Sequence, residues 1–301
     1  MNQRIKTAKT FYKDFIKEAK EKRLTEQKAF FNEHRDDFTK TFVNSFAELL
    51  DKTIEMQKAG VKESVAFIII SFLRSNIYKQ LTPEFCKIDV YDEQGYENTQ
   101  GCSVYVGCPW IRDSILKFDG DMRNEIKRSS HKIADYVLEA MILGEVSSFA
   151  YILRILMQYA VPEIEKLEQW QALNALEVVD VRFGEYHDNT VSVYKYDTRT
   201  RNNTVIRDIM KSGKPMHYDS IKNVNLSNEA FDNLDFRFTD FSGSNFEASS
   251  FQNTDLIGTA WRNCNLKGTN FANANLTGAD FRGADIEGTL FDGAILMDNF
   301  W

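Results

Sequence analysis

The stretch NFANANLTGADFRGADIEG, from Asn270 to Gly288, decides the fold of the C-terminal part of the chain. It places an apolar residue at every fifth position, whereas a helix repeats about every 3.6 residues and a strand about every 2. Stepping by five from Ile221 to Trp301 meets seventeen positions, and each of them carries a large apolar residue. A period of five therefore governs the last quarter of the chain.

Two further registers accompany the large residues. The position two residues before them, from Thr239 to Ala294, holds Thr, Ser, Cys or Ala in all twelve cases, which predicts a small side chain sharing the interior. The position two residues after them, from Asn223 to Asp298, is Asn or Gly in thirteen of sixteen cases, and both residue types tolerate positive backbone angles. Each unit is thus predicted to end in a turn, so that four units close a square coil of about twenty residues.

Residues twenty positions apart are then predicted to lie above one another, with the coils about 4.8 Å apart as in parallel strands. One wall stacks four phenylalanines, a second stacks five large apolar residues, and three asparagines align so that their amides can form a ladder. The first wall contains Phe231, Phe251, Phe271 and Phe291, the second contains Ile221, Phe241, Trp261, Phe281 and Trp301, and the ladder contains Asn225, Asn245 and Asn265.

These registers resemble the pentapeptide-repeat family, whose pattern is commonly written A(D/N)LXX. Ala274-Asn275-Leu276-Thr277-Gly278 and Ala279-Asp280-Phe281-Arg282-Gly283 match that pattern. The resemblance covers residues 219–301 and implies a right-handed quadrilateral β-helix, which is a β-solenoid. It also implies a contact between chains, because some members of the family pair through their C-terminal ends.

The far end of the repeats is a candidate interaction surface. The large-residue register runs to Phe300-Trp301, and no polar helix follows it in this sequence. A terminal solenoid coil exposes apolar side chains and unpaired strand edges, which normally need a cap. We therefore expect a protein partner or a homodimer through the C-terminal coil.

The acidity of the protein is concentrated in the repeats. Residues 219–301 carry five Lys+Arg and twelve Asp+Glu, and the preceding residues balance to zero. Certain pentapeptide-repeat proteins that protect DNA gyrase from quinolones are acidic rods thought to imitate duplex DNA. The resemblance therefore offers an alternative function for this protein, as a DNA-mimicking topoisomerase modulator. Its partner would then be a DNA-binding enzyme such as gyrase. Direct binding of nucleic acid is not expected.

The stacked charges weaken that alternative. A duplex mimic needs long stripes of unpaired negative charge, and only short ones, such as Asp235 above Asp255, remain once neighbouring charges are paired. One wall stacks Lys222, Ser242, Arg262 and Arg282 with Asp240 and Asp280 close enough for pairing, and another alternates Glu247, Lys267 and Glu287.

Before residue 219 the period of five is absent and helical spacing prevails, so residues 1–218 are predicted to form a mainly helical α+β domain. No family resemblance is found there. The predicted helices are a stripe of Ile5, Ala8, Tyr12, Phe15 and Ala19 continuing to about Asn32, then Asp37 to Ala59, Lys62 to Gln80, Trp110 to Phe118, Met122 to Leu143, Ser147 to Tyr159, one beginning near Pro162, and Thr204 to Lys211. The predicted strand pairs are Lys87 to Tyr91 with Ser103 to Val106, and Val178 to Phe183 with Thr190 to Tyr196.

Three cysteines, Cys86, Cys102 and Cys108, cluster in one strand-rich region. Their spacing does not fit a structural zinc site, so buried thiols are preferred over a metal. A nucleophilic cysteine would need a base such as His131 or His187 brought close by the fold.

Two charged segments have a functional and a structural interpretation. Asp119, Asp121 and Glu125, near Arg112 and Arg123, could bind a cation or serve acid–base chemistry, but a turn with an acidic helix cap is preferred. Residues 1–28 carry nine Lys+Arg against four Asp+Glu, and such a basic amphipathic helix either docks on membranes or acidic partners or, more commonly, packs on its own domain.

No catalytic residue, cofactor or metal is predicted. The chain lacks a phosphate-binding loop, a dinucleotide glycine motif, Gly-x-Ser-x-Gly and His-Glu-x-x-His. Its longest apolar run, Ala66 to Leu73, is far below the roughly 20 residues of a membrane span, and its opening has no secretory signal, so we expect a cytoplasmic protein without a transmembrane segment. Four cysteines do not make a disulfide scaffold, so reduced thiols are expected.

The sequence therefore favours a non-enzymatic interaction or scaffold protein, in which the pentapeptide-repeat rod is a rigid binding or oligomerisation surface. The candidate surface residues are Asp235, Asp255, Phe300 and Trp301. A second alternative is an enzyme or effector with its active site in the N-terminal domain, within residues 80–200.

Overall fold

A computed structural model describes residues 9–78, 84–93, 102–129, 132–186, 189–199 and 202–297, together with Asn299 and Trp301. The chain forms two compact units. The first contains Met1–Leu176 and Arg182–Val191, and the second contains Glu177–Val181 and Ser192–Trp301. Of the residues singled out above, His131, His187, Asp298 and Phe300, with the first part of the predicted N-terminal stripe, lie outside the described residues.

One long helix dominates the first unit. Helix α1 spans Lys17–Lys58 and follows a π-helical turn at Tyr12–Ile16. The two helices expected on either side of Asn32 are therefore a single element. Thr25 and Thr41 each donate a side-chain hydrogen bond to the carbonyl four residues back, which is compatible with an unbroken helix.

The π turn changes which residues face the core. Phe11 and Ile16 lie five positions apart and are both fully buried, because the π turn holds one residue more than an α turn. The predicted stripe is wrong at Tyr12, which is exposed, and at Phe15, which is half-buried. A regular helical period cannot anticipate such an insertion.

Four shorter helices complete the helical part, and their boundaries differ from the prediction. The helix predicted over Met122 to Leu143 is divided between two of them, and the boundary predicted between Leu143 and Ser147 is absent, because one helix continues to Ala150. The segment around Gly120 is not a turn, because one helix runs through it. Pro162 lies in the last turn of a helix rather than the first, and that helix ends two residues later. The helices are α2 at Pro109–Arg128, α3 at Asp135–Ala150, α4 at Ile152–Ile164 and α5 at Glu168–Ala172.

A five-stranded mixed sheet lies beside these helices in the order β3-β2-β1-β4-β5. Strands β1 and β2, and strands β2 and β3, pair antiparallel. The Val65 N–H donates to the Asn174 carbonyl at 2.9 Å and the Tyr186 N–H donates to the Phe72 carbonyl at 3.2 Å, so β1 and β4 run in the same direction. The strands are β1 at Val65–Phe72, β2 at Glu84–Tyr91, β3 at Cys102–Gly107, β4 at Ala175–Glu185 and β5 at Thr190–Asp197.

The helix predicted over Lys62 to Gln80 is wrong, because this segment contains β1 followed by a short 3-10 turn at Arg74–Asn76. Strand β1 is the central strand and is buried on both faces, so it has no polar alternation. A short continuous apolar run of this kind cannot be distinguished from a buried helix by its period. Both predicted strand pairs are confirmed.

The second unit is a solenoid with one coil every twenty residues. Parallel bridges join residues twenty apart, from Ser220 with Asp240 to Asn275 with Ile295. The coil geometry already includes Met216, whose N–H donates to the Asp235 carbonyl at 3.0 Å, one five-residue unit before Ile221. The predicted turns are confirmed, since every described turn position from Asn223 to Gly293 has a positive φ.

The interior of the solenoid is built from the two predicted registers, one of large apolar residues and one of small residues. Large rings stack over the ring twenty positions away, as Phe251 does over Phe271 at 5.5 Å and Phe241 over Trp261 at 4.6 Å. The small-register hydroxyls bind the previous coil: Thr254 donates to the Phe231 carbonyl at 2.9 Å, and the same relation recurs in neighbouring units. Small polar side chains are therefore buried without losing their hydrogen bonds.

Helix α6 at Asn203–Lys211 covers the N-terminal end of the solenoid. Its Ile206 and Met210 are fully buried in the same core as Ile221. The Asn202 side chain caps the helix by accepting from the Thr204 N–H at 2.7 Å.

Candidate interaction surfaces of the repeat unit

The acidic stripe predicted from the sequence is a mixed ion cluster. Asp235 and Asp255 do lie one coil apart on the same wall. Arg237 donates to both oxygens of Asp235 at 2.9 and 2.8 Å, and its Nε lies 3.6 Å from Asp255 Oδ2. His217 Nε2 lies 2.9 Å from Asp235 Oδ2. This wall therefore lacks the unpaired negative charge that imitation of a DNA backbone requires.

Arg237 also fixes the ionisation of its partner. Partial burial of Asp235 opposes ionisation, but hydrogen bonds from Arg237 and His217 outweigh it and lower the pKa of this carboxyl to about 2. Sequence reasoning missed both partners. The available signals were the spacing of two between Asp235 and Arg237 and the spacing of twenty between His217 and Arg237.

A second wall carries a buried ion ladder. Arg262 lies 3.1 Å from Asp240 Oδ2 and 3.3 Å from Asp280 Oδ2, and the two carboxylates belong to the coils before and after it. Arg282 makes a further pair with Asp280 at 2.6 Å. The pairing predicted for this wall is confirmed. Asp240 and Asp280 are therefore two more acidic residues of the repeats whose charge is paired with arginine.

On the wall beside it, the predicted alternation of charge gives exposed pairs. Lys267 lies 2.9 Å from Glu287 and 3.3 Å from Asp285. The amide ladder is present for one step only, since Asn245 donates to Asn225 at 3.1 Å whereas Asn265 donates to Glu247.

The last described coil presents a different kind of surface. In the other coils the large apolar residue of each five-residue unit is buried in the interior, but many apolar side chains of this coil are exposed. Trp301 stacks on Phe281 at 4.8 Å through one face, which follows the predicted column, and its remaining surface is accessible. Phe300 lies outside the described residues. The exposed apolar residues, between 39% and 61% accessible, are Ile286, Leu290, Ile295, Leu296, Met297 and Trp301.

The cysteines are buried thiols, as the sequence favoured. Cys86, Cys102, Cys108 and Cys264 are all free and buried. Burial raises the pKa of Cys108 to about 12 and that of Cys86 well above its usual value, so both remain protonated at neutral pH. In the part of the chain that the structure describes, no group of three or more His, Cys, Asp or Glu is arranged to hold a metal ion.

The charged segments of the first unit serve internal contacts. Asp121 lies in α2 and accepts from Arg23 of α1 at 2.7 and 2.8 Å, and Asp119 pairs with Arg123. Neither residue caps a helix, because α2 continues through both. Lys20, from the basic N-terminal segment, binds the buried Glu145 at 2.7 Å.

One helical stretch, Asp135–Ile164, is long and apolar enough to cross a membrane by length and composition alone. It comprises α3, α4 and the residue between them. Half of its most apolar window is buried within the protein, and core helices of soluble proteins pass the same test.

The coil geometry and the three registers define a β-solenoid repeat protein. A family model described as pentapeptide repeats matches residues 225–268, 249–288 and 262–296 with eight copies. Residues 225–296 are therefore pentapeptide repeats, and the resemblance inferred from the sequence is confirmed. No curated protein matches the chain.

Several solved structures are similar to about a third of this chain. Rfr23, a pentapeptide repeat protein from the cyanobacterium Cyanothece 51142, is 20% identical over 33% of this chain and 97% of its own, with a TM-score of 0.18. A pentapeptide repeat protein from Nostoc Pcc 7120 is 19% identical over 31% and 74%, with a TM-score of 0.22. QnrB1, a plasmid-mediated fluoroquinolone resistance protein, is 20% identical over 29% and 50%, with a TM-score of 0.17. Because these scores are low, the assignment rests on the family model and the coil geometry.

Proposed function

We propose that this protein is a non-enzymatic scaffold whose repeat unit associates with a second copy of the chain through its C-terminal coil. The observation that carries the proposal is the group of exposed apolar side chains on that coil, with Leu296, Met297 and Trp301 among them. Isolated exposed apolar residues are ordinary, but several exposed apolar residues on one coil of a solenoid are typical of a contact surface. In this proposal the N-terminal region, residues 1–218, supplies the specificity and the repeat unit from residue 219 supplies the rigid contact.

We also propose that the solenoid is a right-handed quadrilateral. Rings twenty residues apart are nearly parallel, as for Phe271 and Phe291 at 12°, which supports one ring per wall and coil. Rings on successive units are nearly perpendicular, as for Phe236 and Phe241 at 86°, which supports a right-angled corner between walls.

Size-exclusion chromatography with light scattering on the full chain tests the association. A homodimer has twice the 34.8 kDa of the chain at micromolar concentration. Leu296→Glu places a charge in the exposed apolar group and is expected to give a monomer. Val205→Glu is the matched control, because Val205 is also an exposed apolar residue, on α6 at the other end of the repeat unit.

A wild-type monomer across the micromolar range contradicts the homodimer. The remaining form of the proposal is then a different protein partner at the same coil. A pull-down with the full chain tests it, and a partner held at this coil is retained by Val205→Glu and lost with Leu296→Glu.

The alternative of a DNA-mimicking topoisomerase modulator is less well supported. Its motivation is the acidity of the repeats, but Asp235, Asp240 and Asp280 are each paired with arginine. We expect no inhibition or protection in a gyrase supercoiling assay, and an effect of either kind would favour the alternative.

A further inference from the structure

Strand β3 forms one edge of the five-stranded sheet. Its sequence from Cys102 to Gly107, CSVYVG, contains no charged residue and no proline. Its register with β2 shifts next to Gly107, and residues 102–106 stay in regular register. Natural sheets normally protect an edge strand with charge, a proline or a bulge, because its unpaired N–H and C=O groups can bind another strand. Over residues 102–106, β3 has none of these protections.

The ladder shows which backbone groups of β3 face away from the sheet. The Leu73 N–H donates to the Phe85 carbonyl at 2.8 Å, so Phe85 and every second residue after it in β2 bond to β1. The residues between them bond to β3, where one of their partners is Val104. The N–H and C=O groups of Ser103 and Tyr105 consequently point outward. Within the described ranges, neither residue has a backbone hydrogen bond on this outward side.

This outward edge is accessible. Tyr105 is 53% exposed and Ser103 is half-buried. Two N–H donors and two carbonyl acceptors therefore lie two residues apart along an open edge, and this spacing is the repeat of an extended backbone. Another extended strand is the group that satisfies all four of them at once.

Helix α1 decides which kind of strand fits. It packs beneath β3, where Thr53 donates to the Cys102 sulfur at 3.2 Å and Cys102 donates to the Leu49 carbonyl at 3.6 Å. Antiparallel pairing with β3 of a second copy would place both α1 helices on the same face, under strands about 4.8 Å apart. Packed helices need about 8 to 10 Å between their axes, so the two helices would collide. The edge therefore fits an extended segment that carries no helix beneath it.

We propose that the edge of β3 binds an extended segment of another protein, which joins the sheet as a further strand. The backbone of the segment exchanges hydrogen bonds with Ser103 and Tyr105, and a large apolar side chain on the same face packs on the Tyr105 ring. The segment has no proline at the positions that bond to β3. This site lies in residues 1–218 and does not depend on the association proposed for the C-terminal coil.

Isothermal titration of the full chain with the synthetic peptide acetyl-Thr-Val-Thr-Phe-Thr-Val-Thr-amide tests the site. Two N-methylated forms of the peptide are the matched probes, one methylated at the valines and the phenylalanine and the other at the inner threonines. Alternate N–H groups of a strand point to opposite sides, so one form loses its donors toward β3 and the other keeps them. One form is expected to bind at least about tenfold more weakly than the unmodified peptide, and the other to bind equally well.

Three results overturn the proposal. They are no heat of binding with the unmodified peptide at millimolar concentration, binding by both N-methylated forms, and binding by neither of them.

One variant of the protein locates the peptide on β3. Ser103→Pro removes an outward N–H and leaves the bonds between β3 and β2 intact, a position at which an edge strand tolerates proline. It is expected to weaken the peptide at least about tenfold, whereas the control Ser103→Ala keeps the N–H and is expected to bind as the wild type does. Unchanged affinity in a folded Ser103→Pro variant contradicts the proposal. If circular dichroism shows that this variant is unfolded, the two N-methylated peptides decide on the wild type.

Leu296→Glu separates this site from the C-terminal coil. Because Leu296 lies in the repeats, this variant is expected to bind the peptide as the wild type does. Loss of peptide binding in Leu296→Glu places the peptide on the coil and overturns the proposal for β3, whereas a monomeric wild type contradicts only the association through the coil.

Discussion

At the scale of single residues, the turn positions show that the coil determines the backbone conformation even where the residue does not favour it. Most of them are Asn or Gly, which accept a positive φ, but Phe238 and Ala248 adopt φ of 63° and 55° at the same positions. A side chain with a Cβ atom costs about 1 to 2 kcal/mol in this conformation. The Phe238 N–H donates to the Ile257 carbonyl and the Ala248 N–H donates to the Lys267 carbonyl, both at 2.8 Å, and these hydrogen bonds to the next coil offset the local preference of the two residues.

Two glycine turns allow the backbone cost to be separated from a steric cost. A Cβ atom at Gly283 would lie 2.4 Å from Asn263 Oδ1, whereas a Cβ atom at Gly278 would meet nothing within 4 Å, and both residues have a positive φ. We expect Gly278→Ala to lower the free energy of unfolding by about 1 kcal/mol and Gly283→Ala by about 2 kcal/mol. Urea unfolding followed by circular dichroism measures both, and equal losses would show that Asn263 moves aside without cost.

The residues also show why the repeats could be predicted and the ion cluster could not. All seventeen five-residue units carry a large apolar residue at the same position, and most also carry the small residue and the Asn or Gly of the turn, so the prediction is repeated from unit to unit. The cluster of His217, Asp235 and Arg237 depends on which neighbouring side chain reaches which oxygen. The twenty-residue coil predicts that these residues lie close together, but it does not predict which side chain pairs with which.

At the scale of elements, the wall with Asp240, Arg262 and Asp280 links three successive coils. Arg262 is only 11% exposed, and its two carboxylate partners are more deeply buried still. Such a pair adds little net stability over an apolar substitute, but removing one partner leaves buried charge uncompensated. The ladder therefore makes the coils depend on one another.

Arg262→Gln tests this dependence. It leaves Asp240 without its cation, so we expect the free energy of unfolding to fall by about 3 kcal/mol. Lys267→Gln is the matched control, because Lys267 also bridges two acidic residues but in an exposed setting, where the expected loss is much smaller. Urea unfolding at neutral pH measures both, and similar losses would mean that the burial of Arg262 has no energetic consequence.

The helices and strands that precede the repeats were predicted unevenly, for physical reasons. The strand pairs β2 with β3 and β4 with β5 alternate around turn residues and were found. Strand β1 was missed because a strand buried on both faces loses its period of two. The continuity of α1 was missed because polar residues around Asn32 resemble a helix boundary, although the contacts that hold this region to Trp110 and Tyr159 come from distant parts of the sequence.

At the scale of the whole molecule, the ion cluster around Asp235 predicts how stability depends on pH. The folded pKa of Asp235 is about 2, against an ordinary value of 3.8. A depressed pKa contributes stability that is present above pH 3.8 and is lost as the pH falls toward 2. This contribution acts on the second unit, which contains all three residues of the cluster.

Comparing the wild type with Asp235→Asn isolates the effect from other carboxylates. The difference in their free energies of unfolding is expected to be largest at neutral pH and to shrink between about pH 4 and pH 2. Unfolding in urea at several acidic pH values measures the difference. A constant difference across this range would mean that Asp235 gains nothing from Arg237 and His217.

The coil of twenty residues has a consequence for how the length of the repeat can change. If the number of inserted residues is not a multiple of five, the large apolar residues after the insertion no longer face the interior. An insertion of five keeps the interior but moves every later residue to the next wall, so that Asp280 no longer lies over Arg262. Only insertions of a whole coil preserve both, and a gene encoding this unit can therefore grow or shrink without loss only in steps of sixty nucleotides, which is about 4.8 Å of rod at a time.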